Sequence, residues 1–256
     1  MTFQRIDGRS PDQLRPYCFE RNFIKTAEGS VLVSCGDTKV IVTAKIDPSL
    51  PPHLRNLPQK QGWITAEYAM LPGSSHDRVG RERNKAHSRS LEIQRLIGRS
   101  LRAMVDLEKM PPVSINIDAD VIQADGGTRT ASITGAYVAV YDCLRHMQLN
   151  GVQLKDEFIK PFADGLPIVN QVAAISVGIV DGLPLLDLNY HEDSQAEADA
   201  NFILTSSGKI IEIQASAEES SFDEAAFHQM FILAKKAIKE LTGLQNQSLG
   251  VAITNS

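Results

Sequence analysis

Cysteine is scarce in this chain, and its three copies, Cys18, Cys35 and Cys143, are scattered without a Cys-x-x-Cys pair. That argues against a zinc site and fits a reducing compartment, so a cytoplasmic location is expected. No apolar run approaches the ~20 residues of a membrane span, and the N-terminal residues lack the pattern of a secretory signal. No membrane association is therefore expected. Several catalytic signatures are also missing. Without Gly-x-x-x-x-Gly-Lys-Ser/Thr, a P-loop for ATP is not expected. There is no Gly-x-Ser-x-Gly, no Cys/His pair suited to covalent catalysis, and the six histidines are dispersed without metal-ligand spacing. The formal net charge of −5 by itself argues against a nucleic-acid binder.

What is present is a chain of 256 residues with 43% hydrophobic content, ample for a real core. No stretch has a linker's composition, which predicts one domain over 1–244 and a polar, flexible tail over 245–256. The charge is unevenly spread. Between His76 and Arg102, eight basic residues (Arg78, Arg81, Arg83, Lys85, Arg89, Arg95, Arg99, Arg102) face three acids (Asp77, Glu82, Glu92). A basic patch on an otherwise acidic protein suits a polyanionic ligand at one place.

The patterning predicts an α+β order. Residues 30–46 read as a hairpin turning at Gly36-Asp37-Thr38, and 63–68 as a strand. Leu91, Ile93, Leu96, Ile97, Leu101, Met104 and Val105 give a helical stripe over 88–106, with Arg95, Arg99 and Arg102 on another face. Alternation over 113–122 predicts a strand, and a buried helix follows around 136–144. Asp181-Gly182 marks a hairpin between 172–180 and 183–188. A second hairpin joins 201–205 to 209–215. A last helix is expected from about Asp223 to Leu241.

The stretch Asp125-Gly126-Gly127-Thr128-Arg129-Thr130 carries most of the chemistry. A strand feeding a glycine pair, then Thr-Arg-Thr at a helix start, offers free N–H groups, close backbone approach and a permanently charged fork to an oxyanion. Arg89, at the start of the basic helix, is a second candidate for the same anion. The acidic run Glu192 to Asp199 could present Asp193 and Asp199 to Mg²⁺ or Mn²⁺, a hard cation that takes one or two carboxylates plus substrate oxygens. Blander readings compete with each. Thr and Ser begin many helices, a charged helix face is usually just solvated, and Ser194 and Glu197 have the spacing of a capping box. Charge clamps without a nucleophile suit a reaction in which bound phosphate itself attacks.

These stretches together resemble the ribonuclease PH family, the bacterial phosphate-dependent 3′-exoribonucleases of transfer RNA. The resemblance is carried by Asp7-Gly8-Arg9, Arg15-Pro16, residues 27–33 and 36–40, Gly62 to Tyr68, Glu92 to Arg99, Gln123 to Ala136 and Glu192-Asp193-Ser194. It implies a ribosomal-protein-S5-domain-2-like α+β fold and a homo-oligomeric ring, a hexamer built as a trimer of dimers. It implies that inorganic phosphate, as co-substrate, releases nucleoside diphosphates from the 3′ ends of tRNA precursors and other RNAs, and that the reverse reaction adds nucleotides. The family's phosphate site falls on Arg89, Gly127, Thr128 and Arg129. Its metal-associated aspartates, for Mg²⁺ or Mn²⁺, fall on Asp193 and Asp199, and its RNA-guiding basic loop on Arg78 and Arg81. Arg89, Arg129, Asp193 and Asp199 are thus the expected catalytic set.

The chain departs from the family at Gly73, where an arginine usually follows Leu-Pro, and at Lys60 and Ser90, where glycine and threonine are frequent. RNA grip at Gly73 would then be weaker or shared with Arg83 and Lys85. Rival readings are a hydrolytic two-metal exonuclease, which needs a tighter carboxylate set and releases monophosphates, a non-catalytic RNA-binding ring subunit, and an exosome-type subunit that works beside a different one.

Overall fold

The computed structural model describes residues 5–55, 61–81, 88–155, 157–217 and 221–251. Three strands open it: β1 (Tyr17–Arg21), β2 (Gly29–Cys35) and β3 (Thr38–Asp47), followed by a single turn, α1 (Pro52–Arg55). Then come β4 (Trp63–Met70), α2 (Ser88–Arg102), β5 (Ser114–Gln123) and α3 (Thr128–Asn150). Two short strands, β6 (Val152–Gln153) and β7 (Phe158–Ile159), follow. The remainder is β8 (Val172–Val180), β9 (Leu183–Leu186), α4 (Tyr190–Asp193), β10 (Ala198–Thr205), β11 (Ile210–Ala217) and α5 (Glu224–Leu249).

The first sheet has the order β1-β2-β3-β5-β4. Its neighbours are antiparallel except β4 and β5, which run parallel and are joined across α2. Alternation along the strands puts Val31, Val33, Val40, Val42, Ile64, Ile115, Ile117 and Ala119 on one buried face. Ile93, Leu96, Ile97 and Leu101 of α2, and Ile133, Ala136 and Val140 of α3, complete that core. The second sheet, β11-β10-β8-β9, is antiparallel throughout. Its core joins Ile175, Val177, Ala200 and Phe202 to Met230, Ala234, Ile238 and Leu241 of α5. Every residue of β8 is buried, because β8 packs against both α3 and α5. The helix α3 sits between the sheets and is buried nearly all round.

The expected α+β fold is therefore the fold observed. Four expectations need correction. β1 has no counterpart in the sequence reading, and α2 ends at Arg102 rather than near residue 106. α5 continues to Leu249, so the expected tail does not begin at residue 245. Gln245 is 0% exposed and donates through Nε2 to the carbonyls of Thr134 and Val172. A polar residue in the core thus looks like a tail residue until its partners are known. Finally, the capping box at the acidic run is Asn189 with Glu192, and Ser194 caps the other end of α4. Residues 252–256 lie outside the described residues. Among the described residues no helix is long and apolar enough to cross a membrane.

Candidate active site

The site is built on the turn between β5 and α3. Gly126 and Gly127 sit at φ +72° and +65°, in the left-handed region that favours glycine. A Cβ on Gly126 would lie 2.5 Å from the Leu188 carbonyl oxygen, and one on Gly127 would lie 2.9 Å from Arg15 Nη2. Gly127 caps α3 without a side-chain hydrogen bond, so the cap residue itself does not compete for the first N–H groups of this 23-residue helix. The turn's carbonyls are held from elsewhere. Thr38 Oγ1 donates to the Gly126 oxygen at 2.7 Å, and the buried Arg15 guanidinium donates to the Asp125 oxygen. Thr128 Oγ1 and the Tyr68 hydroxyl share a hydrogen bond of 2.9 Å. Burial pushes the Tyr68 hydroxyl up, while Thr128, Arg89 and Arg129 pull it the other way.

The carboxylates come from the opposite side. Asn189 accepts from the Glu192 amide at 2.9 Å, and the Glu192 side chain accepts from the Asn189 amide at 3.1 Å. Glu192 is also gripped by Arg5, Nε to Oε1 at 2.7 Å and Nη2 to Oε2 at 2.6 Å, an almost fully buried bidentate pair. The next residue, Asp193, is thereby fixed at the end of α4. Asp199, the second residue of β10, accepts from Ser216 Oγ at 2.7 Å. Desolvation first, and the Asp199 charge second, hold the Asp193 carboxyl above the usual carboxylate range, against the pull of Arg129, Arg89 and Arg15.

These groups meet in one cavity of about 430 Å³. It is lined by all six residues expected for phosphate and metal: Arg89, Gly127, Thr128, Arg129, Asp193 and Asp199. Arg129 is half-buried, donates to Gln214 Oε1 at 3.3 Å, and lies 3.7 Å from Glu92 Oε1. Arg89, the second residue of α2, is exposed. The cavity therefore has a cationic side on α2 and α3 and an anionic side on α4 and β10. Among the described residues no group of three or more His, Cys, Asp or Glu could hold a metal by itself. Two mutually repelling carboxylates fit a divalent cation whose other ligands are substrate oxygens.

Arg78 and Arg81 are not part of the cavity lining. Both are exposed on the loop after β4, and Asp77 and Val79 on either side of Arg78 do line the cavity. Arg83, Lys85 and Lys60 lie outside the described residues. A Cβ on Gly73 would meet nothing within 4 Å, so no steric demand explains the glycine there. The basic face of α2 is partly spoken for. Arg99 pairs with Glu212 at 2.6 Å, and Arg102 lies 4.7 Å from the centre of the Trp63 ring and donates to the Ile64 carbonyl.

Sequence reasoning missed several residues here. Tyr68 reads as an ordinary strand aromatic. Ser176 and Asn201, each 6% exposed, also line the cavity. Their only signal is polarity in otherwise apolar strands. Asp187 was missed as well. It is fully buried at φ +55°, accepts from the Arg15 amide at 2.8 Å and from Arg15 Nη2 at 2.7 Å, and thereby fastens the segment before β1 to the loop after β9.

Residues 13–145 match the 3′ exoribonuclease family, domain 1, and residues 170–237 match domain 2 of the same family. The chain belongs to this family, the ribonuclease PH family, and has its fold. Solved structures similar in fold include rice (Oryza sativa) Rrp46, with a TM-score of 0.74 and 19% identity, covering 96% of this chain and 100% of that one. The Archaeoglobus fulgidus exosome with RNA bound to the active site matches with a TM-score of 0.75 and 24% identity, covering 94% and 92%. An archaeal exosome core matches with a TM-score of 0.73 and 22% identity, covering 95% and 91%.

Proposed function

We propose that this chain is a phosphorolytic 3′–5′ exoribonuclease that trims the 3′ ends of tRNA precursors. The observation that carries the reading is the convergence of Arg89, Arg129 and the uncapped start of α3 opposite Asp193 and Asp199 in one cavity. The Arg89 and Arg129 forks, the Thr128 hydroxyl and the amides of residues 127–129 hold orthophosphate in line with the last phosphodiester. A phosphate oxygen forms the new bond to phosphorus as the bond to the 3′ oxygen of the penultimate ribose breaks. That oxygen takes up a proton, and a nucleoside diphosphate leaves. Asp193 and Asp199 would hold Mg²⁺ or Mn²⁺, which when bound offsets charge on the reacting phosphates. Arg78 and Arg81, beside the cavity, guide the incoming strand.

The test is to incubate the purified chain with a 3′-extended transfer RNA, with and without orthophosphate, and to identify what is released. Nucleoside diphosphates appearing only with phosphate are expected. Monophosphates released regardless of phosphate would instead identify a hydrolase.

A second reading has structural neighbours in its favour, since two of them are exosome structures. In it the chain is a non-catalytic or hetero-oligomeric exosome-like ring subunit that binds RNA. A homo-oligomeric ring, hexameric as a trimer of dimers, is the assembly we favour for the active enzyme. Sizing the purified chain by light scattering separates the two. A stable, active homo-oligomer supports the first, and a chain that binds RNA but stays inactive, or becomes active only with a second subunit, supports the other.

A further inference from the structure

The Ser176 hydroxyl is buried and has no hydrogen-bond partner among the described residues, an expensive state for a polar group in a core strand. Ser176 lies on β8, and its neighbours in that strand, Ile175 and Val177, are fully buried. Pairing in the second sheet sets Ser176 opposite Asn201 of β10. Asp199 and Asn201, two residues apart, share one face of β10, and both line the cavity with Ser176. The hydroxyl also lies close to the glycine turn, 3.8 Å from where a Cβ on Gly127 would stand. Its backbone is held too, since the Ser176 carbonyl accepts from the Asp187 amide at 2.8 Å.

We infer that Ser176 is a direct ligand of the orthophosphate, donating its hydroxyl to an oxygen that Arg89, Arg129 and the α3 amides leave free. The inference rests on the phosphorolytic reading and adds a residue from the second sheet to a site otherwise clamped from the first. The missing partner of the hydroxyl is then the co-substrate itself.

Ser176→Ala removes one oxygen and leaves no polar atom unpaired, so a purely structural role and a ligand role diverge. A ligand role predicts that the phosphate KM rises about tenfold or more, as expected for a lost hydrogen bond to a charged group. The RNA KM should stay unchanged, and the melting temperature without phosphate should equal or exceed that of the parent. The upward shift of melting temperature on adding orthophosphate should shrink to the same degree. An unchanged phosphate KM, with the parent active, overturns the inference and leaves the proposed activity standing. A lower melting temperature with an unaltered phosphate-induced shift also overturns it, since it marks a packing role. Should the parent release no diphosphates, the activity fails. The inference then stands only if orthophosphate raises the melting temperature of the parent and not of Ser176→Ala, and falls otherwise.

Discussion

Arg129 is held at the cavity wall by a long ion pair to Glu92 and a long hydrogen bond to Gln214, partners that a dianion can displace. Arg129→Ala is expected to lower phosphate-dependent release by about a hundredfold or more, while circular dichroism and RNA binding stay close to the parent. Arg129→Lys should recover little, because a point charge does not replace a planar fork. Asp193 gives a second prediction, with a defined sign. Its carboxyl is raised in the folded protein, by desolvation first and Asp199 second. The folded state therefore binds a proton more readily than the unfolded one, and stability falls as pH rises from the ordinary carboxylate value to the raised one. Asp193→Asn should melt higher than the parent at neutral pH and show a flatter pH dependence in that acidic window, with activity lost. A variant that melts lower at neutral pH would contradict this. The glycine pair, the arginines and the aspartates could be named from the sequence because the family resemblance singled them out of motifs that also had blander readings, and the fold brings them to one cavity. Tyr68 and Asp187 could not, because their partners Thr128 and Arg15 lie far away in the chain, and Ser176 could not, because only the pairing of β8 with β10 brings it to the cavity.

At the scale of elements, α4 is only four residues long and cannot hold Asp193 by its own hydrogen bonds. Its position depends on the capping box and on the Arg5–Glu192 pair, which spans 187 residues of chain. Glu192→Gln leaves the Arg5 guanidinium buried and without its counter-charge, a loss of about 3–5 kcal/mol to be read by denaturant unfolding. Catalytic turnover should fall with it as Asp193 loosens. Asn189–Glu192 and Ser194–Glu197 both have capping-box spacing; the first forms the box, Glu192 being gripped by the distant Arg5, while the Glu197 side chain accepts from the Gly182 amide. β1 escaped notice for a related reason. Its residues alternate between half-buried and exposed on a sheet edge, so the hydrophobic signal is shallow. The hairpin at Asp181-Gly182, by contrast, could be read locally, since both residues take positive φ and the turn closes between adjacent strands.

For the whole molecule, the α+β class followed from the order of patterns, but the sheet order did not. Nothing local tells β5 to insert between β3 and β4. The uneven charge has a consequence at this scale. If Arg78 and Arg81 carry the RNA backbone, log affinity for single-stranded RNA should fall linearly with log salt, and each alanine substitution should make that slope shallower by about 0.7. Fluorescence anisotropy at several salt concentrations measures it. An unchanged slope would move the RNA path elsewhere.

Because α3 is buried nearly all round from Thr130 onward, the groups at its start that we propose to hold the anion have no hinge of their own. Warming cannot blunt them gradually. Residual turnover plotted against temperature should fall on the same curve as the loss of tertiary signal, and a catalyst that fades well before its interior melts would show that the grip is looser than its surroundings.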